Sequence, residues 1–223
     1  FMRETIHSMR LDFEDETEFI QNLFSEIGLV KNRRAPLEHY YPVCCGKDVF
    51  IGIFKEYQAF LRRRRKIDFD DMLVYTYELF KERKDILSAW QKKYRYILID
   101  EFQDANQIQY EIVRMLAEPS QNLFVVGDDD QSIYRFRGAR PEIMLHMPKD
   151  YPEVKVVNLS YNYRCPKDVV RMASLIISHN RERFFKEISA VQKEENSISV
   201  KICKTQREEN LKVVEQIRMG GCP

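Results

Sequence analysis

Three short apolar runs, each followed at once by polar residues, constrain the fold of this chain more than any other feature. The runs are Tyr96–Ile99, Leu123–Val126 and Val154–Leu159, and a helical pattern separates the first two. A continuous apolar run bounded by polar residues predicts a strand that is buried on both faces of a sheet. Strands that alternate with helices predict a parallel α/β sheet.

Helical periodicity surrounds these runs, with apolar residues recurring at spacings of three and four. Helices are predicted around Ile20–Ile27, Ile53–Leu61, Leu73–Phe80, Ile108–Leu116, Val169–Ile176 and Leu211–Ile217. Asp15 and Glu18 have the spacing of a capping box. A fourth strand is predicted at Ser197–Cys203, where apolar and polar residues alternate. Residues 31–49 hold two prolines and one glycine and are predicted to be a loop.

Composition narrows the class of protein without identifying a function. The 223 residues include 36 basic and 35 acidic side chains, so the net charge of +1 gives no support for nucleic-acid binding. Five cysteines without a C-x-x-C pair suggest neither a disulfide framework nor a zinc site, and a reducing cytoplasm fits them best. No apolar run approaches the length of a membrane span, so we expect no membrane partner.

Polar clusters follow each of the three predicted strands, and ligands of open α/β sheets bind at the carboxyl ends of the strands. The clusters read DEFQD, GDDDQSIY and SYNYR. In the first, the adjacent carboxylates Asp100 and Glu101 could divide two tasks. One could bind Mg²⁺ through water, and the other could deprotonate an attacking water. The alternative is a solvated acidic turn.

Four segments in this order resemble motifs of the superfamily 1 DNA helicases of the UvrD/Rep/PcrA type. They are IDFDDML, ILIDEFQDANQIQ, VGDDDQSIYRFRGA and NLSYNYRCP. The resemblance is specific from about residue 67 to residue 166. It implies a RecA-like parallel sheet, that of a P-loop NTPase motor, with ATP and Mg²⁺ as cofactors.

The resemblance also implies roles for individual residues. Asp100 would help to hold Mg²⁺, and Glu101 would be the catalytic base for ATP hydrolysis. Gln131 would contact the γ-phosphate and link it to the DNA site. Tyr163 would stack on the adenine. Arg164 would contact the γ-phosphate from the second motor domain, as an arginine finger does.

The segment after Gln131 resembles the loop with which the family grips single-stranded DNA. Tyr134, Phe136 and Arg137 are its expected DNA contacts, since successive bases stack on aromatic faces. Phe136 stands where the family usually has Trp, and its smaller face implies a weaker grip. Arg135 stands where Gly is frequent and would contact a phosphate or be solvated. Packing of the aromatic residues beneath the loop is the alternative.

The resemblance further implies that the 223 residues are a middle piece of a motor. No G-x-x-x-x-G-K-[ST] loop, which cradles the nucleotide phosphates, occurs in them. We expect an N-terminal helical accessory subdomain, similar to domain 1B, over residues 1–94. The central part of motor domain 1A is expected over 95–160 and the start of domain 2A over 161–223. Such a piece alone is expected to be inactive.

The leading hypothesis is therefore an ATP-dependent helicase of DNA repair or replication. The resemblance implies movement from 3′ to 5′ on single-stranded DNA and action at duplex/single-strand junctions. Three alternatives remain open: the helicase part of an AddA/RecB-like nuclease-helicase, a non-catalytic DNA- or protein-binding module derived from a helicase, and an unrelated α/β nucleotide-binding domain. The sequence predicts no particular protein partner.

Overall fold

The first ninety residues form helices whose apolar faces meet in one core. In the computed structural model, which describes residues 1–9, 11, 15–33, 36–135, 138–193 and 198–220, the helices are α1 (Met2–Ser8), α2 (Glu16–Arg33), α3 (Lys47–Arg64), α4 (Phe69–Glu82) and α5 (Lys84–Lys93). The shared core of α1, α2 and α3 contains Met2, Ile6, Leu23, Ile27, Val30, Phe50, Ile53, Tyr57 and Leu61. The helices predicted from apolar stripes at Ile20–Ile27, Ile53–Leu61 and Leu73–Phe80 are thus confirmed as α2, α3 and α4.

The segment predicted as a loop over residues 31–49 is partly helical. Helix α2 continues to Arg33, a 3₁₀ turn spans Leu37–His39, and α3 begins at Lys47. The prediction of a loop is wrong at both ends, because the prolines at 36 and 42 and the glycine at 46 fall between the helices and interrupt neither of them. Asp15 accepts hydrogen bonds from Thr17 N (2.7 Å) and Glu18 N (3.0 Å), so the Asp15 side of the predicted capping box is formed.

A β-α-β unit follows the helical segment. Strand β1 (Ile97–Ile99) pairs in parallel with β2 (Leu123–Val125) in the register Ile97↔Leu123, and α6 (Gln107–Ala117) connects the strands. Helix α7 (Pro141–Asp150) comes after β2. The predicted alternation of strand and helix with parallel pairing is confirmed here.

Only one face of this strand pair is covered in the part of the chain that the structure describes. Ile99, Leu123 and Val125 pack on a core made by Phe102, Tyr110, Ile143 and Met147. On the opposite face Leu98 is 72% exposed and Phe124 is 61% exposed. The prediction that both faces are buried is wrong for these residues, because α6 and α7 contribute their apolar side chains to the same core.

A second parallel pair lies in the C-terminal part of the chain. Strand β3 (Tyr161–Pro166) pairs with β4 (Ser189–Gln192), and α8 (Lys167–Ile177) connects them; α9 (Gln206–Gly220) is the last helix. The strand predicted at Val154–Leu159 is not formed, and the described residues of Ser197–Cys203, 198–203, are not a strand either. Both predictions were wrong, because an alternating or apolar pattern indicates a strand only when a neighbour accepts its hydrogen bonds.

By its contacts the chain divides into two units, Phe1–Lys155 and Val156–Pro223. Unit 1 holds α1–α7 with β1 and β2, and unit 2 holds β3, β4, α8 and α9. Among the described residues, none of the helices combines the length and the apolar character that crossing a bilayer requires.

Candidate functional site

The chain segments that follow β1 and β2 meet at one edge of the strand pair. Val126 N donates to Ile99 O (2.8 Å), and Phe102 N donates to Val126 O (2.9 Å), so backbone pairing continues past both strands. Asp100 and Glu101 follow β1 directly. This pairing positions the DEFQD segment beside the GDDDQ segment, as expected for the carboxyl ends of parallel neighbours.

Glu101 has an uncommon backbone conformation. Its φ of 52° and ψ of 40° are in the left-handed region, which costs a non-glycine residue about 1–2 kcal/mol. Asp100 Oδ1 accepts a hydrogen bond from Glu101 N at 2.9 Å and thereby supports this turn. Both side chains are exposed. Backbone strain of this kind concentrates at functional sites.

Gln103 is a buried polar residue of the site that the sequence analysis did not single out. Its side chain is only 2% exposed, and it bonds to Glu101 on one side and to the loop after β2 on the other. Nε2 donates to Glu101 Oε2 at 2.7 Å, and Oε1 accepts from Asp128 N at 3.0 Å. The only signal in the sequence was its place within the DEFQD motif.

The loop after β2 is organised by Asp128. Its carboxylate accepts hydrogen bonds from Asp130 N (3.2 Å) and from Gln131 Nε2 (2.8 Å). The carboxylates of Asp128, Asp129 and Asp130 come within 4.8 Å of one another. We assign no metal to them, since exposed acidic groups often cluster without one. The exposed side chain of Gln131 is thus held close to the turn after β2.

The expected DNA-contacting residues are only partly described by the structure. Tyr134 lies just after Gln131, and its side chain is 38% exposed. Phe136 and Arg137 lie outside the described residues. Arg135 forms an ion pair with Glu142 of α7, and its side chain is 69% exposed. Arg135 therefore has a protein partner, although it remains accessible to solvent.

The carboxylates after β1 line an open pocket of about 350 Å³. Asp100, Glu101 and Asp104 are on its wall, and Asp104 Oδ1 is buried without a hydrogen-bond partner. Asp100 Oδ2 and Glu101 Oε1 have no hydrogen bond to the described residues. Mg²⁺ favours one or two carboxylates together with water and phosphate oxygens. The donor set at this edge is of the kind that such an ion favours.

Two aspartates of the IDFDDML segment take part in a buried ion network. Lys31 Nζ, on a side chain that is 5% exposed, pairs with Asp68 Oδ2 at 2.5 Å and Asp71 Oδ1 at 2.7 Å. Tyr57 OH donates to Asp68 Oδ2 at 2.9 Å. Burial raises the pKa of Asp68, but the hydrogen bonds from Lys31 and Asp71 N and the charge of Lys31 outweigh it and hold the pKa below its usual range. Burial and the bond to Asp68 raise the pKa of Tyr57.

The network continues to the helix that follows the DEFQD segment. Asn32 Nδ2 donates to Asp70 Oδ1 at 2.6 Å, and Asn106 Nδ2 donates to Asn32 Oδ1 at 3.1 Å. Asn106 and Gln109 form a capping box at the start of α6. These two residues are the N-x-x-Q end of the ILIDEFQDANQIQ motif. That part of the motif and IDFDDML therefore hold α2, α4 and α6 together.

Tyr163 and Arg164 lie in β3 of unit 2, and both side chains are exposed. Asn162 Oδ1 accepts hydrogen bonds from Arg164 N (3.0 Å) and Cys165 N (2.8 Å). From β4, Gln192 Nε2 donates to the carbonyl oxygens of Tyr163 (3.0 Å) and Arg164 (3.1 Å). Asn162 and Gln192, which sequence reasoning did not select, thus fix the backbone here, while the ring and the guanidinium are exposed.

The basic run Arg62–Lys66 is at the C-terminal end of α3. Arg65 has a left-handed conformation (φ 51°) and ends the helix, and its N–H bonds to Arg62 O. Cations suit this end of the helix dipole. This position suits a solvated helix end.

Comparison with known proteins decides the family. The UvrD/REP helicase N-terminal domain matches residues 13–152, which is more than half of the chain. The chain belongs to the UvrD/REP helicase family. The matched range includes the buried network, the β-α-β unit and the loop after β2.

Curated relatives of this helicase family agree with the assignment. The chain is 44% identical to a putative ATP-dependent DNA helicase YjcD of Bacillus subtilis over 73% of its length and 21% of the relative's. It is 35% identical to an ATP-dependent DNA helicase Rep of Buchnera aphidicola over 92% of its length and 31% of the relative's. The chain is also 35% identical to a PcrA helicase of Staphylococcus epidermidis, over 96% of the chain's length and 29% of the relative's length. The chain thus spans between a fifth and a third of the length of these relatives.

Proposed function

We propose that this chain is the central segment of an ATP-dependent DNA helicase that moves from 3′ to 5′ along single-stranded DNA and opens duplexes at their junctions. The observation that carries the proposal is the hydrogen-bonded edge where Glu101, Gln103 and Asp128 meet. This edge joins the DEFQD and GDDDQ segments, for which the resemblance to the helicases implies nucleotide-binding roles. Relatives that are named ATP-dependent DNA helicases also support the proposal, and their similarity covers as much as 96% of the chain.

The proposed architecture is that of a RecA-like motor. Unit 1 would contain a 1B-like helical subdomain up to residue 94 and the central part of domain 1A. Residues from 161 onward would begin domain 2A. The parallel pairs β1–β2 and β3–β4 are the support for two separate sheets. A cytoplasmic location and a role in DNA repair or replication belong to the same proposal.

In the proposed reaction Glu101 accepts a proton from the water that attacks the γ-phosphate of ATP. Asp100 would hold Mg²⁺, which would neutralise charge on the phosphate oxygens. Gln131 contacts the γ-phosphate from the loop after β2. Tyr163 stacks on the adenine, and the guanidinium of Arg164 binds phosphate oxygens. The exposure of Asp100, Gln131, Tyr163 and Arg164 leaves them accessible to a nucleotide.

The test of the ATPase assignment is Glu101→Gln in the full chain of which these residues are part. Removing a general base typically costs about 10²–10⁴-fold in rate. We expect that loss in kcat, whereas affinity for a non-hydrolysable ATP analogue stays unchanged, because the substitution keeps the shape of the side chain. Unaltered turnover would exclude Glu101 as the base. Complete inactivity of the parent protein would favour the non-catalytic module instead.

The DNA assignment is tested by Phe136→Ala in the same protein. An aromatic side chain that stacks on a base contributes about 1–3 kcal/mol. We therefore expect weaker binding of single-stranded DNA and less DNA-stimulated turnover, while the ATPase rate without DNA is retained. Measurement of turnover against oligonucleotide concentration gives both values. Unchanged stimulation by DNA would show that the stacking assignment of Phe136 is wrong.

A further inference from the structure

The amide of Gln103 can adopt only one orientation in its buried position. Asp128 N is a donor and the Glu101 carboxylate is an acceptor. A flipped amide would place its NH₂ group against the N–H of Asp128 and its oxygen against the carboxylate of Glu101, so both hydrogen bonds would be lost. The side chain is 2% exposed, and loss of either bond would leave a buried polar atom unsatisfied. The amide is therefore a rigid support for the exposed carboxylate of Glu101.

The hydrogen bonds extend without a gap from Glu101 to Gln131. Gln103 joins Glu101 to Asp128 N. The Asp128 carboxylate then accepts from Gln131 Nε2 at 2.8 Å, and Asp128 O accepts from Gln131 N at 2.9 Å. The proposed base after β1 and the proposed γ-phosphate contact after β2 are thus connected through two intermediate residues.

Gly127 shows how tightly Gln103 fits beneath this loop. A Cβ at position 127 would lie 2.7 Å from Gln103 Oε1, 3.2 Å from Gln103 N and 3.1 Å from Met144 Sδ. The first distance is shorter than van der Waals contact allows. A side chain at 127 would displace the amide from Asp128 N, so glycine is required here for close approach.

We propose that Gln103 is a positioning residue that holds Glu101 in the orientation for proton abstraction and couples this orientation to the loop that carries Gln131. Glu101 is exposed, and its oxygen Oε2 has Gln103 as its hydrogen-bond donor. A shift of Asp128 when Gln131 contacts phosphate moves the amide that supports Glu101. The inference rests on the proposed function, because it requires Glu101 to be the base.

The first experiment compares Gln103→Met with wild type in the full-length protein. Methionine keeps the length of the side chain but removes both hydrogen bonds. We expect kcat for ATP to fall by about 10–100-fold, the size of effect typical of residues that orient metal ligands through hydrogen bonds. Affinity for a non-hydrolysable ATP analogue stays near the wild-type value, since the bonds lost are not to substrate. Amide exchange at Asp128 becomes faster, because its acceptor is gone. This second readout needs no catalysis.

Gln107→Met is the matched control. Gln107 Nε2 also donates to a glutamate of unit 1, Glu111 Oε1, at 3.0 Å, and its Oε1 accepts from Arg140 at 3.0 Å, but neither partner is a residue of the proposed site. We expect wild-type kcat and wild-type exchange at Asp128 in this variant.

Gln103→Glu separates orientation from simple loss of structure. It preserves the acceptor for Asp128 N but places a second carboxylate against Glu101, where the amide nitrogen is now 2.7 Å from Oε2. Two carboxylates at such a distance do not both ionise easily, so the acid limb of the kcat profile shifts to higher pH. A purely structural role would lower kcat without moving the profile.

A double-mutant cycle with Gly127→Ala completes the test. The added methyl group lies nearest to Gln103 Oε1, whereas its contacts with Gln103 N and Met144 Sδ persist in Gln103→Met. We therefore expect the loss in Gly127→Ala with Gln103→Met to be smaller than the sum of the two single losses. Additive losses in the cycle, or a wild-type kcat in Gln103→Met, would overturn the inference about Gln103. The proposed function would remain intact in that case, provided that Glu101→Gln is inactive. An active Glu101→Gln variant would overturn both.

Discussion

Lys31 illustrates at the scale of single residues how the chain tolerates buried charge. Its ammonium group is enclosed by two aspartates and lies 5.3 Å from the centre of the Tyr57 ring. Burying a charge is costly unless it is paired and hydrogen-bonded, and here each partner has further donors. Such an arrangement fixes geometry more than it adds stability, because breaking it leaves a charge without a partner.

We expect Lys31→Met to destabilise unit 1 by about 3–5 kcal/mol, since the buried Asp71 and the partly buried Asp68 then lack their cation. The single tryptophan, Trp90, lies in α5 of unit 1, so its fluorescence during urea unfolding measures this loss. Arg83→Met is the control. It removes an ion pair with Asp85 whose side chains are 59% and 64% exposed, and stability should hardly change. Equal effects of the two substitutions would contradict the structural role of Lys31.

Secondary-structure elements were predicted well where the signal is local. The stripes of α2, α3, α4, α6, α8 and α9 were identified, because the spacing of apolar residues follows from the helix itself. Strands β1 and β2 were found because an apolar run is bounded by polar residues. The pair β3–β4 was misplaced. Tyr161–Pro166 is polar and has no buried residue, yet it has β4 as a partner. The more apolar Val154–Leu159 has no partner strand among the described residues.

Helix α6 should depend on its first turn more than α2 does. Asn106 caps α6 by accepting from Gln109 N and also donates to the buried Asn32. Asn106→Ala loses a cap and a buried hydrogen bond, and we expect it to cost about 2–3 kcal/mol of unfolding free energy. Asp15→Ala loses only the exposed cap of α2 and should cost about 1 kcal/mol. Urea denaturation compares them, and a cost for Asn106→Ala no larger than that for Asp15→Ala would argue against the link to Asn32.

At the scale of the whole molecule, the chain is two units joined by an exposed segment. Between α7 and β3, Val157 is 78% exposed and Leu159 is 83% exposed, and neither belongs to a helix or strand. Proteases cut exposed segments with few hydrogen bonds before they cut packed helices. Limited digestion with a protease that cleaves beside apolar residues should first cut within 154–160, as mass spectrometry of the products would show. First cuts inside α4–α6 would contradict the division at residue 155.

The sequence by itself determined the parallel β-α-β arrangement, the faces of the main helices and the polar clusters at the strand ends. These features depend on near neighbours in the chain, because they follow from the spacing of apolar residues and from the polar residues that bound each apolar run. Only the tertiary structure decided which polar atoms meet. The bonds of Gln103 to Glu101 and Asp128, and of Lys31 to Asp68 and Asp71, join residues that are up to 40 positions apart. The exposed faces of Leu98 and Phe124 were likewise decided by where α6 and α7 pack. Such contacts depend on distances in space, which spacing along the chain does not encode.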